Sequence, residues 1–141
     1  MSSSYTIDLE RGMVFKTHLG VVTEQEEVEI LNAVLSDPTY RKGMDFFCDL
    51  TRATVNWNFE EIEHFQRFVG KLVHLTGTCR WAVIFSPNAD LQTAEKFVEL
   101  HAGFANIIEV KIFTNRDEGM AWLKNEELAA ATAPIDLKSS R

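Results

Sequence analysis

The run Trp81-Ala82-Val83-Ile84-Phe85 is almost purely apolar, and it decides the fold class of this 141-residue chain. Successive side chains of a strand point to opposite faces, so an apolar run of this kind needs cover on both faces. Helical patterns stand on either side of it, over residues 58–76 and 91–101. The segment therefore predicts the central strand of an α/β domain with a mainly parallel sheet.

The helical pattern before this strand has clear ends. Asn58 and Glu61 form a capping box, and Gly77 ends the helix. Apolar residues at spacings of three and four mark its buried face: Ile62, Phe65, Val69, Leu72 and Val73.

Further outward, residues 44–50 and 109–114 predict the neighbouring strands, and alternation over 5–9 and 13–19 predicts a hairpin around Gly12. Two more capping boxes, Thr23 with Glu26 and Asn115 with Glu118, open the first and last helices. The predicted order is ββαβαβαβα. It describes a five-stranded, mostly parallel sheet with an N-terminal antiparallel hairpin and about four helices.

Composition bounds the function classes. Fourteen basic against 21 acidic residues give a net charge of −7, which argues against a general nucleic-acid binder. No apolar run is long enough to span a bilayer, and the start lacks a secretory signal, so we expect a cytoplasmic protein. Cys48 and Cys79 are too few for a disulfide scaffold. Their expected strand offset of about four residues makes them structural thiols.

Three stretches resemble the SpoIIAA-like, or STAS-like, family of small bacterial proteins. They are the hairpin of residues 5–19 with the following 20–23, the segment 37–51, and a strand and helix over 110–123. The resemblance covers residues 5–124, which implies a single domain with terminal segments 1–4 and 125–141 that are expected to fray. CRAL-TRIO lipid-binding domains share a similar architecture.

The resemblance also implies a site to examine. Phosphorylated members of the family carry a regulatory serine in an Asp-Ser-Ser-Gly loop after the third strand. The equivalent residues 49–58 contain no serine, and Thr51 and Thr54 stand several residues before the helix. We therefore expect a module without this phosphorylation switch.

Polar residues follow the predicted carboxyl ends of the strands, where open α/β sheets bind ligands. The candidates for a ligand or partner site at this rim are Asp49, Thr51, Arg52, Asn56, Trp57, Ser86, Asn88, Thr114 and Asn115. In the alternative interpretation, the asparagines at 58, 88 and 115 cap helices, the threonines at 51 and 54 sit in turns, and Trp57 is a hydrophobic staple. The exposure of the Trp57 indole distinguishes the two.

A basic stripe is predicted along the second helix, at spacings of three and four. It comprises His64, Arg67, Lys71 and His74, and it contrasts with the acids that crowd the first helix. The stripe could meet an acidic partner or an anionic head group, although a solvated helix face is the simpler interpretation.

Ten phenylalanines are many for this length. They either fill the layers between sheet and helices or line an apolar cavity between the long helix and its neighbour. No nucleophile–base pair, phosphate-binding loop or metal-ligand spacing is visible, so neither an enzyme, a metal nor a cofactor is predicted.

Two functional hypotheses follow. The first is a non-catalytic STAS-like regulatory module that binds another protein or self-associates as a homodimer. The alternative is a carrier or sensor of a small apolar or amphipathic ligand, as in CRAL-TRIO domains.

Overall fold

A computed structural model describes residues 3–132 of the chain, with side-chain surroundings for residues 3–124. Five strands form one sheet, side by side in chain order. They are β1 (Ser3–Asp8), β2 (Met13–Val21), β3 (Asp45–Thr54), β4 (Cys79–Phe85) and β5 (Ile108–Phe113). The hairpin β1–β2 is antiparallel and every other pair is parallel, as predicted.

Residues 3–132 also form five α-helices and a short 3-10 turn, of which the last helix follows β5. The helices are α1 (Glu24–Ser36), α2 (Phe59–Lys71), α3 (Val73–Thr76), α4 (Gln92–Leu100) and α5 (Arg116–Thr132), with the turn at His101–Phe104. None of the helices in residues 3–132 is both long and apolar enough to cross a bilayer.

The helices cover both faces of the sheet, so the fold has three layers. Each parallel crossover advances by one strand in the same direction, and crossovers of one hand place their helices on one face. On that face Leu31, Phe65 and Phe97 from α1, α2 and α4 pack on Phe46 and Trp81.

Helix α5 covers the opposite face of the sheet. There Leu123 packs against Phe47 and Ile84. The helix backbone approaches β4 closely, because a Cβ at Gly119 would lie 2.4 Å from Ile84 Cδ1. The central strand β4 is therefore buried on both faces, as its apolar run predicts.

Some predicted boundaries are wrong. Strand β3 does not end at residue 50 but continues to Thr54, because Arg52, Ala53 and Thr54 pair with the extended end of β2. The long helix predicted to residue 76 ends at Lys71, and α3 follows as a separate turn.

The predicted terminal segments fall only partly in the described chain. Ser3 and Ser4 belong to β1, and α5 continues past residue 124 to Thr132. Residues 1–2 and 133–141 lie outside the described residues.

Candidate functional site

A cavity of about 80 Å³ lies between the sheet and helices α2 and α4. Its wall is mainly apolar and includes Phe65 from α2, Phe97 from α4, and Trp81, Val83 and Ile112 from the strands. Of the two interpretations of the ten phenylalanines, a cavity at this position agrees with the second, an apolar cavity beside the long helix. Thus the rings on this face of the sheet surround a space rather than closing it.

One part of the cavity wall is charged. Lys16 on β2 is 2% exposed, yet it lines the cavity, and its ammonium donates a hydrogen bond to the carboxylate of Glu27 on α1. The ammonium also lies 5.9 Å from the Phe46 ring centroid and 5.8 Å from that of Trp81, at cation–π distance. The Lys16 ammonium thus lies beside two aromatic rings, those of Phe46 and Trp81.

Local patterns explain why these charges point inward. Side chains on a strand alternate, so Lys16 shares the buried face of β2 with Val14 and His18. Glu27 stands three and four residues before the buried Ile30 and Leu31 on the inner stripe of α1.

His18 fixes the far side of the Glu27 carboxylate. Its ring is fully buried, with Nδ1 2.6 Å from Ser3 Oγ and Nε2 3.1 Å from Glu27 Oε2. Because an ionised carboxylate accepts only, the Nε2 atom that faces it carries a proton. This arrangement holds Glu27 in place and offers no nucleophile to the cavity.

The pair at the cavity stays ionised at neutral pH. Burial alone would raise the pKa of Glu27, but Lys16 and His18 outweigh burial and lower it to about 2. Burial alone would likewise lower the pKa of Lys16, but the nearby Glu27 raises it. Cys48 also lines the cavity, and burial raises its pKa to about 11, so its thiol stays neutral.

Trp57 forms a half-buried wall of the cavity rather than an exposed platform. Its indole Nε1 donates to the carbonyl oxygen of Val22 at 2.9 Å, and its backbone N–H donates to Thr93 Oγ1 at 3.2 Å. The ring packs edge-to-face on Phe65 at a centroid distance of 5.4 Å. The residue thus connects the end of β2 with α2 and α4 around the cavity.

The other residues predicted for the rim lie in different parts of the structure. Asp49, Thr51 and Arg52 lie within β3, not after it, so the interpretation of Thr51 and Thr54 as turn residues is wrong. Asp49 accepts from the Thr51 hydroxyl at 2.6 Å and pairs with Arg116 of α5. Alternation along β3 therefore turns Asp49 to the face opposite the cavity, while Arg52 is exposed to solvent.

Three rim residues do come together. Asn56, Ser86 and Asn88 border a surface cleft of about 410 Å³ beside the carboxyl ends of β3 and β4. Asn88 does not cap the next helix, because α4 begins after Leu91 without a side-chain cap.

Thr114 and Asn115 do not line this cleft. Thr114 is exposed, and Asn115 Oδ1 accepts from the Glu118 backbone N–H at 3.0 Å, as its predicted capping role requires.

The basic stripe is partly neutralised by acids. His64 Nδ1 lies 2.6 Å from Glu24 Oε2 on α1, and Arg67 pairs with Glu63 at 3.4 Å. Lys71 ends α2, and the break at Leu72 places His74 on α3. The four residues therefore do not continue along one helix. Within the described part of the chain, no group of three His, Cys, Asp or Glu side chains could hold a metal ion.

The sequence patterns missed Lys16, His18 and Glu27 as site residues. A signal was present for Glu27, which shares the apolar stripe of α1 with Ile30 and Leu31. Only the packing of α1 on β2 brings Lys16, His18 and Glu27 together.

Among solved structures, one that is similar to this chain over most of its length indicates the fold family. It is an uncharacterized protein of the DUF3478 family with a SpoIIAA-like fold, from Shewanella loihica PV-4. The match has a TM-score of 0.54 at 16% sequence identity, and it covers 86% of this chain and 94% of that chain. No protein-family model and no curated protein matches. The predicted SpoIIAA-like fold is thereby confirmed.

Proposed function

Given this fold, we propose that the chain is a non-catalytic module that binds a small, mainly apolar molecule as its carrier or sensor. The observation that carries the proposal is the cavity between the sheet and helices α2 and α4, with the Lys16–Glu27 pair in its wall. Ligand sites typically combine an apolar lining with a few placed polar groups that fix orientation.

The size of the cavity limits the ligand. Cavities for drug-sized molecules occupy about 300–1,000 Å³, and an engineered cavity of about 150 Å³ holds benzene. A space of about 80 Å³ therefore suits a body of a few heavy atoms and is too small for a whole lipid.

The charges of the cavity favour binding over chemistry. The Lys16 amine is protonated and the Cys48 thiol is neutral, so neither is in its nucleophilic form. Their role in the proposal is to orient a bound molecule.

A fragment panel tests the proposal. Ligand-observed NMR with molecules of about three to six heavy atoms should detect binders, and Ala94→Leu should abolish their binding because Ala94 lines the cavity. Ala121→Leu is the matched control, since Ala121 is exposed on α5. Absence of binders to the wild-type chain, or equal binding to folded Ala94→Leu, would contradict the proposal.

A protein partner or a second copy of the chain is the second candidate. It is favoured by two exposed apolar side chains, Val21 (71% exposed) and Phe59 (53% exposed). Val21 directly precedes Val22, and Phe59 follows Trp57 by two residues. Both are therefore close in sequence to the two residues that the Trp57–Val22 hydrogen bond joins. Isolated exposed apolar residues are common, so this observation supports the candidate less strongly than the cavity supports ligand binding. A regulatory role in a bacterial cytoplasm stays a prediction.

Native mass spectrometry tests this second candidate. A dimer or complex should be lost in Val21→Ser/Phe59→Ser and kept in Leu9→Ser, a control with a similarly exposed leucine (55%). A wild-type chain that is monomeric and captures no partner would contradict it.

A further inference from the structure

The Lys16 ammonium has hydrogen-bonding capacity that its protein contacts do not use. A lysine ammonium carries three N–H donors. Among the described residues, Glu27 is the one hydrogen-bond acceptor found for it, and the Phe46 and Trp81 rings also lie near Nζ. Since Lys16 is nearly fully buried and lines the cavity, its other donors are available to a molecule bound there.

The surrounding charge decides which acceptor fits. The positive charge of Lys16 is balanced by the negative charge of Glu27, whose second oxygen faces the His18 ring. Cys48 adds a neutral thiol. An anionic ligand would bring an uncompensated negative charge into an apolar space, which carries a large desolvation penalty. A neutral acceptor gains the hydrogen bond without that cost.

We infer that the cavity binds a small neutral carbonyl compound, such as a short ketone or aldehyde, with its oxygen accepting from Lys16 Nζ and its alkyl groups against the aromatic wall. The inference rests on the proposed ligand-binding function and specifies its substrate class. A carbonyl oxygen accepts and does not donate, so it matches a donor-only ammonium without requiring a further partner.

Three probes of nearly the same shape test this inference. Acetone carries the neutral oxygen, isobutene replaces it by an apolar methylene, and acetate replaces a methyl group by a charged oxygen. Each is titrated into the wild-type protein while backbone amide NMR shifts are followed at cavity residues such as Val83 and Phe97. Acetone should bind at least tenfold more tightly than either analogue, since hydrogen bonds to charged groups are the stronger ones.

Variants assign the preference to Lys16. In Lys16→Met/Glu27→Gln, both charges are removed together, so neither is left buried and unpaired. Acetone and isobutene should then bind within about twofold of each other. Lys111→Met, at an exposed lysine on β5, should keep the wild-type preference.

The outcomes separate the two proposals. Equal or tighter binding of isobutene to the wild-type chain would overturn the carbonyl inference and leave ligand binding intact. Tighter binding of acetate would overturn it in favour of an anion site. Failure of all three probes, together with the fragment panel, would overturn both. The wild-type comparison decides the inference even where the double variant does not fold.

Discussion

At the scale of single residues, the Lys16–Glu27 pair is the feature that needs an explanation. Buried ion pairs are weak sources of stability, because desolvation offsets much of their attraction. Apolar residues of similar volume would fill the same place at no such cost. Both residues lie in the wall of the cavity, where the proposed ligand-binding function would use the pair to orient a ligand.

The same pair predicts a stability change in acid. The pKa of Glu27 is about 2 in the folded chain against an ordinary 4.5. Its stabilising contribution is therefore complete above about pH 4.5 and is lost as the pH falls toward 2, because the unfolded chain takes up the proton first. We expect this group to contribute roughly 3 kcal/mol to the fall in the free energy of unfolding.

Urea unfolding followed by tryptophan fluorescence between about pH 6 and pH 2.5 measures this fall. Lys16→Met/Glu27→Gln should show a smaller decrease, whereas Glu29→Gln, at an exposed position of the same helix, should behave as the wild type. An unchanged pH dependence in the double variant would show that the Glu27 carboxyl is not the responsible group.

At the scale of elements, helix starts follow local rules. The capping boxes of Thr23 with Glu26 and of Asn58 with Glu61 are both confirmed, with the cap side chain and the N3 side chain each accepting from the other's backbone. Such boxes satisfy backbone donors that have no partner within the helix, and they depend on four consecutive residues only.

Two nearby asparagines provide a matched test of the second box. Asn58→Ala should lower the free energy of unfolding by about 1 kcal/mol, because the Glu61 backbone N–H loses its acceptor at 2.8 Å. Asn56→Ala, two residues earlier and exposed, should change it by less than about 0.5 kcal/mol. Chemical denaturation measures both, and equal effects would mean that the cap contributes no more than an exposed surface residue.

At the scale of the whole molecule, strand register determines the state of the two thiols. Cys48 pairs with Val83, so Cys79 lies four residues away along β4. That offset is roughly 13 Å, well beyond the ~4.4–6.8 Å between the Cα atoms of a disulfide. Both cysteines are free and buried, which confirms the prediction of structural thiols.

Thiol labelling should therefore report global unfolding. Burial raises the pKa of Cys48 to about 11 and that of Cys79 to about 12, so both should resist maleimide in the native protein. Under denaturant they should react together, at the midpoint measured by fluorescence. Thr54→Cys, at an exposed position, should react at once. Rapid native labelling of either buried cysteine would indicate local opening of the core.

Local sequence patterns were sufficient to predict the element order and the sheet class. Apolar runs, periods of two and of 3.6, and capping boxes are local signals, and the fold follows from them together with the rule for parallel crossovers. Boundaries were less well determined. Strand β3 gained residues 51–54 because its partner β2 continued alongside, and no pattern within β3 indicates this.

The location of the candidate site depends on tertiary packing. The predicted rim residues follow strands that are neighbours in the predicted sheet. Alternation along β3, however, turned Asp49 away from Trp57 and toward α5. Lys16 and Glu27 meet because α1 packs on β2, a contact between distant segments. A cavity, finally, is the difference between the volume that the elements enclose and the volume that their side chains fill. Local sequence patterns do not record that difference, because it is set by how whole elements pack.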